Sequence, residues 1–72
     1  MPKDPKALFG ESVRMHRHQL GWTQEELAEA AGLHFTYIGG IERGERNVGL
    51  LNIVNIARAL AVPVSVLTAS LK

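Results

Sequence analysis

The chain has 72 residues, 46% of them hydrophobic, no cysteine and a formal net charge of +1. A domain this short buries only about 60% of its unfolded surface, and without cysteine neither a disulfide nor a thiolate metal site can reinforce it. No apolar run approaches the roughly 18 residues of a membrane span. No secretory leader is expected ahead of the fold, and the expected compartment is the cytoplasm.

Asp4-Pro5 reads as an N-cap followed by proline at the first helical position. Leu8, Phe9, Val13, His16 and Leu20 form a helical stripe, so the first helix is predicted near 5–20, ended by Gly21. Thr23-Gln24-Glu25-Glu26 is a capping box, with Trp22 and Leu27 at the staple positions. The second helix is predicted near 24–31, with Leu27, Ala28 and Ala31 inward. Gly32 makes a turn through positive φ. A third helix follows near 34–43, with Tyr37, Ile38 and Ile41 on its inner or half-buried face. Gly39 and Gly40 inside it cost about 1 kcal/mol each against alanine, so packing must hold it. After a polar loop over 44–49, Gly49 caps a fourth helix near 50–61 with the stripe Leu50, Ile53, Ile56, Ala57 and Leu60. Pro63 opens a fifth helix near 63–71, with Val64, Leu67 and Leu71 on one side. The alternation of Val62, Val64 and Val66 suits a strand, but the Leu67–Leu71 spacing is helical. The expectation is one all-α domain over 1–72.

Two short helices joined by a tight glycine turn, here about 24–43, form a helix-turn-helix, the scaffold that lays one helix into a DNA major groove. On that geometry His34, Phe35 and Thr36 open the reading helix and reach base edges. The Thr36 methyl suits a thymine methyl, and its hydroxyl pairs with either polar edge. Phe35 is a thymine-methyl contact or a satellite of the core. Thr23 and Gln24 start the second helix, where the Gln24 amide and the helix-end N–H groups face phosphate. Tyr37 is expected to donate its hydroxyl to phosphate with its ring packed on the scaffold. At Gly39 and Gly40 either the backbone approaches DNA or direct readout is sparse and DNA shape supplements it, the latter being favoured. Arg46 and Asn47, then Arg43, are candidate phosphate contacts. Arg46 entering a minor groove and a merely solvated charge run with Glu45 are the alternatives.

Low net charge and small size both point to a homodimer, which doubles the phosphate contacts and stabilises the fold. Leu51, Val54, Val62, Val66 and Leu67 are the candidate interface, or else they complete the core, Leu67 first among them. Metal binding is not expected. His16 and His18 face different sides of a helix, with His16 read as a half-buried core residue, and His34 has no carboxylate or cysteine at ligand spacing. No serine–histidine–acid set or paired carboxylates stand out, and the glycines at 39, 40 and 44 lack the following Lys-Ser/Thr of a phosphate loop. Neither an enzyme, a cofactor nor a small-molecule ligand is indicated.

From Phe9 to Leu67 the chain resembles the Cro/repressor-like helix-turn-helix domains, the xenobiotic-response-element family. The resemblance is carried by Arg14-x-x-Arg17, Gly21-Trp22-Thr23-Gln24-Glu25-Glu26-Leu27-Ala28, Ala31-Gly32-Leu33, Ile41-Glu42-Arg43-Gly44-Glu45-Arg46-Asn47 and Ile56-Ala57-Arg58-Ala59-Leu60. Within that family the run from Thr36 to Val48 is similar to the controller proteins of restriction–modification systems, small free-standing homodimers that bind operators ahead of their own gene and the endonuclease gene. The resemblance implies a lambda-repressor-like fold and a buried ion pair between Arg17 and Glu42; two reading helices related by a two-fold axis would meet successive major grooves, so the operator is expected to be an imperfect palindrome. Gly39 and Gly40 depart from the family pattern, where polar side chains are common. A protein-interaction subunit of antitoxin-like or bridging type, dependent on a second protein for DNA affinity, is the rival reading. A structural nucleoid protein indifferent to palindromes is another.

Overall fold

The computed structural model describes residues 3–71. Five helices follow one another: α1 (Pro5–Gln19), α2 (Gln24–Ala31), α3 (Phe35–Glu42), α4 (Leu50–Ala59) and α5 (Val64–Leu67). Among the described residues there is no strand. α3 packs on α1 and α2, while α4 bridges α2 and α5. One core joins Phe9 and Val13 of α1, Leu27, Ala28 and Ala31 of α2, Ile38 and Ile41 of α3, and Ile56, Ala57, Leu60 and Leu67 from the C-terminal part.

The helix starts are set by local chemistry. The Asp4 carboxylate accepts the Lys6 N–H at 2.8 Å, and that hydrogen bond holds its pKa below the ordinary aspartate value. Thr23 and Glu26 satisfy one another's backbone N–H groups at 3.1 and 2.9 Å. Four helix ends share a reciprocal pair of backbone bonds around a residue in the left-handed region. After α1 it is Gly21 at φ 71°, after α2 Gly32 at φ 70° and after α3 Gly44 at φ 77°. After α4 it is Ala61 at φ 59°, with Ala61 N–H donating to Arg58 and Val62 N–H to Ala57. Alanine there bears a Cβ clash that glycine avoids.

Gly10 serves a different purpose. It is buried where α1 crosses α3, and a methyl group on it would overlap the carbonyl oxygens of Ile41 and Glu42. Those are backbone atoms, so no side-chain adjustment relieves the overlap.

Several sequence expectations need correction. α5 is four residues long, not the span 63–71, and Pro63 is its N-cap. The Thr68 hydroxyl turns back to the Val64 carbonyl at 3.0 Å, and residues 68–70 form a turn. α4 stops at Ala59 rather than 61 because of the Ala61 turn. Leu50 and Leu20, placed on inward stripes, are 73% and 45% exposed. Each lies at a helix boundary, where the stripe runs past the neighbouring helix. His34 caps α3 instead of belonging to it. Leu67 has no exposed surface and is a core residue, which removes it from any dimer face. His16 is half-buried, its Nδ1 lying 2.8 Å from the Ser12 carbonyl oxygen.

Two opposite substitutions test this account of the glycines. Gly10→Ala should lower stability by about 1–3 kcal/mol despite alanine's better helix propensity. Ala61→Gly should raise it by up to about 1 kcal/mol. Chemical denaturation of both variants checks the signs.

Candidate nucleic-acid interface

The position of α3 is fixed by a buried polar node. Arg17 Nε and Nη2 donate to the two Glu42 carboxylate oxygens at 2.7 and 2.8 Å. Arg17 Nη1 donates to the Trp22 carbonyl at 2.7 Å, and Gln24 Nε2 donates to Glu42 at 3.1 Å. The Arg17 and Glu42 side chains are only 9% and 3% exposed. The hydrogen bonds to Glu42 raise the arginine's pKa further, so it stays charged. No buried side-chain nitrogen or oxygen among the described residues lacks a partner. The node therefore joins α1, the turn after it, the start of α2 and the end of α3 without a stranded charge.

Around α3 the side chains divide into two groups. His34, Phe35 and Thr36 project at its N-terminal tip, all three exposed, and the Phe35 ring stacks on His34 at 5.1 Å between centroids. The exposed position of Phe35, at 48%, removes it from the core. Thr23, exposed, caps α2. The Gln24 amide turns toward Glu42, leaving one of its two N–H groups free for an external acceptor.

The second group consists of arginines laid across the glycines. Gly39 and Gly40 are buried, not open to solvent as a bare reading surface would be. A Cβ on Gly39 would sit 3.1 Å from Arg43 Nη1 and 3.4 Å from Gln24 Oε1; one on Gly40 would sit 3.0 Å from Arg46 Cγ. Neither glycine presents free backbone in this state. Each is the floor on which an arginine lies. Arg46 continues over the Tyr37 ring, its guanidinium carbon 5.1 Å from the centroid, a cation–π contact. Tyr37 is half-buried, and its hydroxyl oxygen accepts weakly from Asn52 at 3.4 Å, leaving the O–H to donate outward. Arg43 is held by Glu45 at 3.0 Å in an exposed pair. Asn47 is exposed beside Arg46.

The sequence reading did not single out Asn52 or Gly10. A polar residue one turn into an apolar helix and a glycine inside a strongly capped one were the available signals. Leu51 is 78% and Val66 40% exposed, while Val54 and Val62 are half-buried. Val66 lines a groove with Leu8 and Met15 of α1. Among the described residues no cluster of three or more histidine, cysteine or carboxylate side chains is arranged to hold a metal. No described helix is long and apolar enough to cross a membrane.

This arrangement of two capped helices, a left-handed glycine turn and an exposed second-helix tip defines a helix-turn-helix module. Residues 13–67 match the HTH_3 helix-turn-helix family. The chain belongs to that family and is a DNA-binding transcription regulator of non-enzymatic type. It is 49% identical over 57 residues to control protein C.SmaI of Serratia marcescens, covering 79% of this chain and 68% of that protein. It is 48% identical over 63 residues to control protein C.BamHI of Bacillus amyloliquefaciens, covering 86% and 78%. The structure superposes with a TM-score of 0.85 on the restriction–modification controller protein C.AhdI from Aeromonas hydrophila, at 44% identity, covering 86% of this chain and 94% of that one. All five helices fall within this lambda-repressor-like architecture.

The node makes a direct prediction. Glu42→Ala should destabilise the fold by about 3–5 kcal/mol, because it strands a buried guanidinium. The double variant Arg17→Met with Glu42→Leu should recover much of that loss. Thermal and urea unfolding of the two proteins decide it.

Proposed function

We propose that the chain is a controller-type regulator of a restriction–modification system. It acts in the cytoplasm as a homodimer on an imperfectly palindromic operator, its whole length forming one domain. The observation that carries this reading is the arrangement on α3. A tip of three exposed side chains is flanked by Gln24, Tyr37, Arg43 and Arg46 on a helix that a buried ion pair holds in place. The likeness to C.SmaI, C.BamHI and C.AhdI supports the controller assignment within the family.

In the proposed complex His34, Phe35 and Thr36 meet base edges. Gln24 and the uncapped N–H groups at the start of α2, beside Thr23, meet one phosphate strand. Tyr37, Arg43, Arg46 and Asn47 meet the other. Gly39 and Gly40 act through the arginines they seat, so direct readout along the middle of α3 is thin and DNA shape carries part of the preference. Duplex selection should recover a two-fold operator whose half-sites are about 34 Å apart, one helical turn. Random duplexes binding as well as the selected one would leave the nucleoid reading in its place. DNA affinity that appears only with a second protein would favour the bridging subunit.

Arg46→Ala should weaken binding to specific and random duplexes alike. It should also flatten the dependence of log K on log salt by about one per subunit, two for a dimer. Fluorescence anisotropy across a salt series measures it, and an unchanged slope removes Arg46 from the phosphate contacts.

The proposed dimer face runs along α4. Leu51, Val54, Asn55 and Arg58 lie at i, i+3, i+4 and i+7, turned away from the buried Ile56 and Ala57. Leu50 and Val62 extend it at either end, and Val66 is its outlying candidate. Leu51→Glu with Val54→Glu should give folded monomers with poor operator affinity; Leu51→Glu alone, at the more exposed site, guards against unfolding. Sedimentation velocity with circular dichroism reads both, and a persistent dimer would place the interface elsewhere.

A further inference from the structure

His34 caps α3 with a ring nitrogen where a hydroxyl or carboxylate is the usual acceptor. Its Nδ1 lies 3.2 Å from the Thr36 backbone nitrogen, whose N–H donates to it. The same Nδ1 lies 2.7 Å from the Thr36 hydroxyl oxygen. An imidazole nitrogen accepts only through its lone pair, so a hydrogen on Nδ1 would meet the Thr36 N–H head-on and break the cap. With Nδ1 bare, the amide and the hydroxyl both donate to it. With Nδ1 protonated, only the hydroxyl contact survives, in reverse. The geometry therefore favours hydrogen on Nε2. That atom has no hydrogen-bond partner among the described residues, on a side chain that is itself exposed. Phe35 stacks on the ring at an interplanar angle of 25°, which restrains its rotation.

We infer that the helix cap locks His34 in the Nε2–H tautomer and makes His34 and Thr36 a base-reading pair of fixed polarity. Nε2 can only donate. The Thr36 hydroxyl, its hydrogen engaged by Nδ1, can only accept. The pair therefore fits a step that offers His34 an acceptor, guanine N7 or O6, adenine N7 or thymine O4. The same step must offer Thr36 a donor, adenine N6 or cytosine N4. Without the lock, a histidine and a threonine would each accept either polarity. This inference rests on the DNA-reading role proposed above and gives that role a chemical preference at the tip of α3.

Two measurements test it. The first is independent of DNA: long-range proton–nitrogen correlation spectra of the 15N-labelled protein identify which ring nitrogen carries hydrogen. A single Nε2–H form is expected; Nδ1–H, or averaging between forms, overturns the lock. The second uses a duplex obtained by selection and then substituted, one position at a time, with analogues lacking one major-groove acceptor. These are 7-deazapurines for N7, 2-aminopurine for guanine O6 and 5-methyl-2-pyrimidinone for thymine O4. His34→Ser keeps a capping oxygen and removes the outward N–H. One analogue position per half-site should weaken the wild-type complex about threefold to tenfold, the worth of one hydrogen bond, and leave the His34→Ser complex unchanged. Equal responses of the two proteins at every position overturn the contact. Failure to select any duplex would defeat the regulator reading itself, while the spectra would still report on the cap.

Discussion

Glu42 is the fixed point of this molecule. Its carboxylate takes two bonds from Arg17 of α1 and one from Gln24 of α2, while its own backbone closes α3. A buried ion pair is a poor source of net stability, because desolvation offsets most of the attraction. What it supplies is direction. A planar guanidinium meeting both carboxylate oxygens tolerates little rotation. The buried Ile38 and Ile41 and the close Gly10 crossing turn one face of α3 inward. The node adds a directional constraint at the C-terminal end of that helix, where apolar packing alone has none.

That constraint matters because α3 has little strength of its own. It is eight residues long with two adjacent glycines, below the length at which an isolated helix persists in water. The glycines that weaken it also let its neighbours close in. Gly10 brings α1 against the C-terminal carbonyls of α3, and Gly39 and Gly40 give Arg43 and Arg46 a path across its outer side. Stability lost in the helix is thus regained through packing on one face, and charge is gathered on the other. Arg46 rests on the Tyr37 ring, and in the proposed complex that prior seating would reduce the entropy lost on binding phosphate.

Much of this was legible in the sequence because it follows from short-range chemistry. The Asp4-Pro5 start, the Thr23–Glu26 box and the glycine at 21 are local signals, and the helices they bound lie within a residue or two of expectation. Most of the misreadings required knowledge of what lies across the interior. The α4 stripe included Leu50 because periodicity does not reveal where the neighbouring helix ends. α5 was drawn too long because Val64, Leu67 and Leu71 all approach the core, although only the first and second are helical. Ala61 gave no warning of its left-handed turn, since residue type points to glycine there. Gly39 and Gly40 were legible as gaps in the reading surface. That long side chains from the following turn would fill those gaps was not, because it depends on the path of the chain after Gly44.

The distribution of charge and side chains on α3 has a consequence for recognition. With no side chain at 39 or 40, the middle of the helix offers bases nothing except what Arg43 and Arg46 bring over it, and long flexible cations discriminate poorly unless held. In the proposed complex, discrimination is thereby concentrated in the first turn, where the cap holds His34 and Thr36 against one another and Phe35 stacks alongside. Few contacts of fixed polarity limit the selectivity of one copy, and a net charge of +1 limits its affinity. The proposed homodimer would meet both deficits: a two-fold pair squares the selectivity of a half-site and doubles the phosphate contacts without adding a single residue to the chain. A short, glycine-bearing α3 and the outer face of α4 around Leu51 and Val54 are, on the proposed reading, two parts of one solution.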